Sequence, residues 1–382
     1  MKLKKYMVWG VLSLATVLTS CVDDLNVDPE NPNIKTTLNS RDEYLGVIAR
    51  AYGGLVLEGG VQVNDGGRAV YTRLLWNLQE LGADEAIVGD NWKDAGLPEV
   101  KANIAGPDCA MLYEAYSRFN YQIALCNETL RVLKNSGDAF TPAEVDAFSR
   151  EMRVLRALSY YHIIDIFGKG PWTDENSEVG EIPPTYTRAQ LFSAVVADLQ
   201  DAVPGMIPAA QQVYGRVSRE AGYMLLAKLY LNAEVYTGTP MWNECAQACQ
   251  QVTATLNTLA PEYKYLFWAT TDKYVGNGEI IWGVPQDANT LQTYGGTTYL
   301  AIGCYNADVY AAQKKAGEYP YGLEKDPWGG PRVQPELSQA LASNDKRRLI
   351  YEGELHESVA NLQDWKIDGD GYMCIKYVYT PE

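Results

Sequence analysis

Histidine is scarce in this chain: His162 and His356 are the two in 382 residues. Asp165 follows His162 at the i,i+3 spacing that puts two side chains on one helical face. Such a base and carboxylate could begin acid–base chemistry. His162 nevertheless falls inside a long helical pattern and reads as a structural histidine. The sequence carries no Gly-x-Ser-x-Gly elbow, no His-Glu-x-x-His helix and no P-loop. Glycoside hydrolysis stays open, because it needs only two carboxylates about 5–10 Å apart and the chain has 48 Asp and Glu. Asp368-Gly369-Asp370-Gly371 has the pattern of part of a calcium loop. Lys366 and Tyr377 stand where an EF-hand would need acidic ligands, so that reading fails. Cys245 and Cys249 lie one helical turn apart with no His or third Cys nearby, and read as buried thiols. Neither a metal nor a cofactor is expected.

The aromatic composition points elsewhere. There are 27 Tyr and 9 Trp against 6 Phe. Tyr and Trp join a flat apolar face to a polar edge, which suits stacking against ligands such as sugars. Composition alone does not separate a binding surface from a Tyr-rich core.

The elements that would position such side chains are mostly helices. Ser40-Arg41-Asp42-Glu43 is a capping box ahead of a helix over 44–57, and 71–81 is a second amphipathic segment. A Gly- and Asp-rich loop over 82–106 leads into a helix over 107–134. Thr141-Pro142-Ala143-Glu144 starts the next helix, which stops at Gly168-Lys169-Gly170-Pro171. Thr187-Arg188-Ala189-Gln190 caps a helix to about 203. Gly222, Leu226, Leu229, Ala233 and Tyr236 then recur on one helical stripe. Thr239-Pro240 restarts a helix over 241–258. Helices 107–134 and 141–167 form one antiparallel pair, and 187–203 and 217–236 form another. This is the logic of a tetratricopeptide-like stack. After residue 263 the texture changes. Glu279-Ile280-Ile281-Trp282-Gly283-Val284-Pro285 reads as a short strand, 286–334 as long irregular loops of the kind that are usually functional, 335–343 as a short helix and 372–378 as a last strand. The fold class expected is mainly α, with a second loop-rich half containing short strands.

The chain begins with a cationic Met-Lys-Leu-Lys-Lys run and an apolar stretch from Tyr6 to Leu18. That stretch is short of the about 20 residues a spanning helix needs and fits a signal peptide over 1–20. Val17-Leu18-Thr19-Ser20-Cys21 looks like a bacterial lipobox, which implies lipidation of Cys21. The polar, Pro- and Asn-rich residues 21–39 read as a tether. The acidic pair after Cys21 resembles a surface-export signal of Bacteroidetes-type lipoproteins. The net charge is −16. Such a chain repels phosphate backbones and anionic lipid surfaces, so nucleic acid is not an expected partner and membrane attachment falls to the lipid.

These pieces together resemble the SusD/RagB family of outer-membrane nutrient-binding lipoproteins. The strongest match is Glu151-Met152-Arg153-Val154-Leu155-Arg156-Ala157-Leu158-Ser159-Tyr160-Tyr161 running into Phe167-Gly168 and Pro171. Leu25-Asn26-Val27-Asp28-Pro29, Gly278-Glu279-Ile280-Ile281-Trp282, Trp328-Gly329-Gly330-Pro331-Arg332, Asp345-Lys346-Arg347-Arg348 and Ile375-Lys376-Tyr377 occur in family order. Ala83-Asp84-Glu85 departs at its first position from the usual Thr-Asp-Glu. The resemblance implies a tetratricopeptide-like scaffold over 40–260 and a loop-rich half over 261–382. It implies capture of a glycan without catalysis, and a SusC-type TonB-dependent channel as partner. Family sites draw on the loop before the first long helix and the loops after the Glu-Ile-Ile-Trp segment. Here those loops offer Asn91, Trp92, Tyr294, Tyr299, Tyr305 and Trp328. A peptide or other nutrient on the same scaffold is the competing reading. Family members continue into further helices beyond the Lys-Tyr strand, so the resemblance also leaves helix 241–258 without its expected partner.

Overall fold

The computed structural model describes residues 37–59, 67–89, 92, 94–268, 270–287, 289, 291, 293–305, 311, 327–352 and 371–377. Cys21, the signal segment, most of the tether, Asn91, His356 and the 368–370 run lie outside the described residues. Residues Met1–Leu45 and Gly46–Glu382 group into two compact units.

Helix α1 is Arg41–Gly53 and begins in the first unit. Its capping is shared between two residues. The Glu43 N–H donates to Ser40 Oγ at 3.3 Å, while the Glu43 carboxylate accepts from the Asn39 N–H at 2.6 Å.

The second unit is built on helices. α2 is Tyr71–Glu80, α3 Leu97–Lys101, α4 Ala110–Lys134 and α5 Pro142–His162. α3 falls within 82–106, which the sequence reads as loop; Pro98 near its start and Glu99 in its first turn favour a helix there. α4 buries Met111, Ala115, Phe119, Ile123, Cys126, Leu130 and Leu133, at spacings of three and four. α5 answers with Phe148, Met152, Leu155, Ser159 and His162, and the two pack as an antiparallel hairpin. The expected capping box at Thr141 is complete, with Thr141 Oγ1 accepting from the Glu144 N–H and the Glu144 carboxylate accepting from the Thr141 N–H. One wide turn over Ile163–Phe167 carries α5 to Gly168.

α6 is Arg188–Ala202, α7 Arg219–Leu231, α8 Ala233–Thr237 and α9 Trp242–Thr253. The stripe from Gly222 to Tyr236 is buried as expected. It spans two helices because the chain breaks at Asn232. A Cβ on Gly222 would lie 2.7 Å from Val203 Cγ2, so a larger residue would push α7 away from the end of α6. The pairing differs in one respect from the sequence reading. α9 is not left alone: it packs along α7, burying Ala248 and Val252, while α6 lies mainly against α5. Cys245 and Cys249 sit on the flank of that contact and are half-exposed, not buried.

Charged side chains bolt the helices together. Arg156 donates to Asn127 Oδ1 (2.8 Å) on α4, to Glu175 Oε2 (2.6 Å) and to Asp198 Oδ2 (2.9 Å) on α6. Arg153 holds Asp198 and Asp201 at 2.7 Å each.

Among the described residues strands are short and form three two-stranded antiparallel pairs: β1 (Ala86–Ile87) with β4 (Arg332–Val333), β2 (Lys169–Pro171) with β3 (Thr185–Thr187), and β5 (Ile350–Tyr351) with β6 (Met373–Cys374). Residues 279–285 form no strand. A single bridge joins Ile280 to Val275, and the segment then runs extended beside the helices. Two further helices among the described residues, α10 (Thr297–Ala301) and α11 (Pro335–Ala340), are brief. Among the described residues no helix is long and apolar enough to cross a membrane.

Candidate functional site

The β1–β4 pairing joins the loop after α2 to the segment that follows Trp328. Trp328 is therefore held near Trp92. The Trp328 N–H donates to the Ile302 carbonyl (3.0 Å) and the Gly329 N–H to that of Tyr305 (3.0 Å). The Trp92 ring lies directly on Gly330, where an added Cβ would fall 1.5 Å from Trp92 Cζ3. Glycine at 330 is thus the condition for Trp92 to lie where it does.

Tyr299 locks this arrangement from inside. Its ring meets Trp92 edge-on at 6.0 Å and Trp76 at 5.8 Å. Its hydroxyl donates to Asn77 Oδ1 at 2.8 Å. The Arg73 guanidinium sits 4.2 Å from the Tyr299 ring centre and pairs with Asp94 at 2.5 Å. Burial pushes the Tyr299 hydroxyl well above the usual tyrosine range, so it stays protonated and neutral.

On the open side, Tyr294 is 61% exposed and its ring lies 6.0 Å from that of half-exposed Trp328, tilted by 50°. Glu58 holds the Tyr294 loop, its Oε1 accepting from Thr293 Oγ1 at 3.1 Å and from the Tyr294 N–H at 3.3 Å. Gly67 and Gly295 bring two backbones together there: a Cβ on Gly295 would lie 2.1 Å from the Gly67 carbonyl oxygen.

Of the six residues expected at a ligand, Trp92, Tyr294 and Trp328 keep accessible surface and Asn91 lies outside the described residues. Tyr299 and Tyr305 are corrections. They are 1% and 0% exposed, so neither ring has a face to offer a ligand. Their loop carries the aromatic platform from beneath. Arg73, Asn77, Asp94 and Glu58 were missed. Arg73 and Asn77 left a signal, since both are polar and fall one turn apart among the apolar positions Tyr71 and Leu74 of α2 and Leu81 at its end.

His162 lies deep between α2, α4 and α5. Its Nδ1 is 2.6 Å from the Tyr71 hydroxyl, and burial, reinforced by the Lys228 charge, lowers its pKa to about 3. It is neutral and closed in by Phe119 and Tyr161, which fits the structural role read from sequence. Among the described residues no group of three or more His, Cys, Asp and Glu side chains could hold a metal ion.

No family model matches the chain. Comparison with characterised proteins does find a relative: over 300 residues the chain is 29% identical to the starch-binding protein SusD of Bacteroides thetaiotaomicron, covering 76% of this chain and 52% of SusD. The chain is thus similar to SusD over most of its own length. It spans about half the length of that curated relative. Solved structures agree in fold. Surface glycan-binding protein A of Bacteroides uniformis has a TM-score of 0.65 at 17% identity, covering 89% of this chain and 69% of that one. A SusD superfamily protein of Parabacteroides distasonis has a TM-score of 0.64 at 19% identity, covering 89% and 70%. Surface glycan-binding protein A of Bacteroides thetaiotaomicron, solved with laminarihexaose, has a TM-score of 0.65 at 18% identity, covering 90% and 71%. The mainly α, tetratricopeptide-like architecture expected from the sequence and its resemblance is the one observed.

Proposed function

We propose that this SusD-like chain is a non-catalytic surface lipoprotein that captures glycans and passes them to a SusC-type TonB-dependent channel. The observation that carries the reading is the exposed Tyr294 ring set at an angle to Trp328, on a loop whose backbone is tied by Glu58. A pyranose offers its C–H face to such rings while its hydroxyls turn to surrounding polar groups. Trp92 extends the platform on the α2 side. Burying an aromatic side chain is worth about 1.5–3 kcal/mol, so one ring carries about a tenfold to hundredfold share of affinity. The relatives named for binding starch and glycans, among them one solved with laminarihexaose, support a carbohydrate over a peptide. Anchoring through Cys21 at the outer membrane, facing outward, completes the reading.

Titration of the protein with soluble starch and laminarin tests it. Tyr294→Ala and Trp328→Ala are each expected to weaken binding at least about tenfold, with Trp242→Ala, on an exposed face of α9, as the silent control. Unchanged binding in both platform variants, or hydrolysis of the glycan, would overturn the proposal. Cys21→Ser is expected to move the protein from the membrane fraction to the soluble one.

A further inference from the structure

A second recess lies away from the aromatic platform, between α5, α7 and the extended 279–282 segment. It is a cleft of 340 Å³, at the lower end of the about 300–1,000 Å³ common for small-molecule sites. Leu155 and Leu158 of α5, Met224 and Leu225 of α7, and Ile281 and Trp282 from the extended segment form its walls. The Trp282 indole N–H is turned away and donates to the Gly215 carbonyl at 3.1 Å, so the ring meets the cleft with carbon. Sugar hydroxyls would find almost no partners here.

Two charged groups reach the cleft, Lys228 and Glu279. They are not equivalent. Glu279 is engaged, its Oε2 accepting from the Ala260 N–H at 3.1 Å. Lys228 is exposed, lies 5.9 Å from the centre of the Tyr161 ring, and has no carboxylate partner among the described residues. An apolar trough with a solvated ammonium at its mouth matches a ligand that is a hydrocarbon chain at one end and an anion at the other. The chain gains from leaving water and the head stays at the surface beside Lys228, as an amphipathic side chain does at an interface.

The geometry points to a binding site for a single-chain alkyl carboxylate in the α5–α7 cleft, with Lys228 taking the head group. This goes beyond glycan capture and uses none of its residues. The probes are dodecanoate and dodecanol, titrated calorimetrically below their micellar range into the whole chain. Saturable one-to-one binding of dodecanoate is expected. Lys228→Glu should weaken dodecanoate at least tenfold and leave dodecanol within twofold. Leu158→Trp, which fills the cleft, should abolish both, and Ala221→Trp should do the same from the facing wall if Leu158→Trp disturbs folding. Starch and laminarin binding should be unchanged in all three variants, so a failure here is distinct from a failure of the glycan site. Absence of saturable binding, equal dodecanoate affinity in Lys228→Glu, or full binding in a folded cleft-filled variant would overturn the proposal.

Discussion

A methyl group on Gly330 would meet the Trp92 ring at 1.5 Å, so Gly330→Ala must move one of them. The expected outcome is a loss of glycan affinity of about tenfold with a stability cost of about 1–3 kcal/mol from overpacking, read by titration and by denaturant unfolding. His162 gives a second test at this scale. Its pKa in the folded chain is about 3, against about 6.5 for an unfolded histidine. Because the folded value is depressed, the unfolded chain takes up the proton first. Its contribution to stability is therefore intact above pH 6.5 and falls as pH drops towards 3, by about 1.4 kcal/mol per pH unit. His162→Gln removes this term, so the steepness of unfolding free energy between about pH 6 and 4 should diminish by about that slope. Equal slopes in the two proteins would contradict a buried neutral histidine.

At the scale of elements, helix ends and helix contacts make unequal contributions. Thr141 caps α5 at the surface, and Thr141→Ala should cost about 1 kcal/mol. Arg156 sits between α4, α5 and α6 with 3% of its side chain exposed. Arg156→Ala leaves Asn127 and Glu175 without that partner, although Asp198 keeps Arg153. Losing one member of a buried pair costs about 3–5 kcal/mol, and the remaining partner places this variant near the lower figure. Chemical denaturation of the two variants should rank them in that order.

The molecule as a whole carries a net charge of −16. A neutral glycan feels no long-range pull from it, while an acidic glycan is repelled. Affinity for starch or laminarin should therefore change less than about twofold between low salt and about 0.5 M NaCl, where the screening length falls to a few ångströms. A strong salt dependence, checked by repeating the titrations, would mean that charged groups dominate recognition. The same scale explains which expectations survived. Helix starts at Thr141 and Thr187 were legible because a cap is a local hydrogen-bond problem within four residues. The stripe from Gly222 to Tyr236 was legible because helical periodicity reports burial directly. The strand expected at 279–285 was not realised, since an apolar run does not say whether another strand is present to pair with it.

By itself the sequence determined the order and kind of the main helices and the hairpin of α4 with α5, while the family resemblance pointed to the loops that carry Trp92 and Trp328. Each of these rests on interactions between residues close in the chain, or on motifs whose spacing is read along it. Only the tertiary structure decided which aromatics face outward. Tyr294 and Tyr299 are five positions apart, yet one is 61% exposed and the other 1%. That division is made by α2, which supplies Asn77 and Arg73 to Tyr299 from more than two hundred residues away. It also decided that α9 packs on α7, because partner choice depends on which apolar faces meet in space, and no local pattern records that.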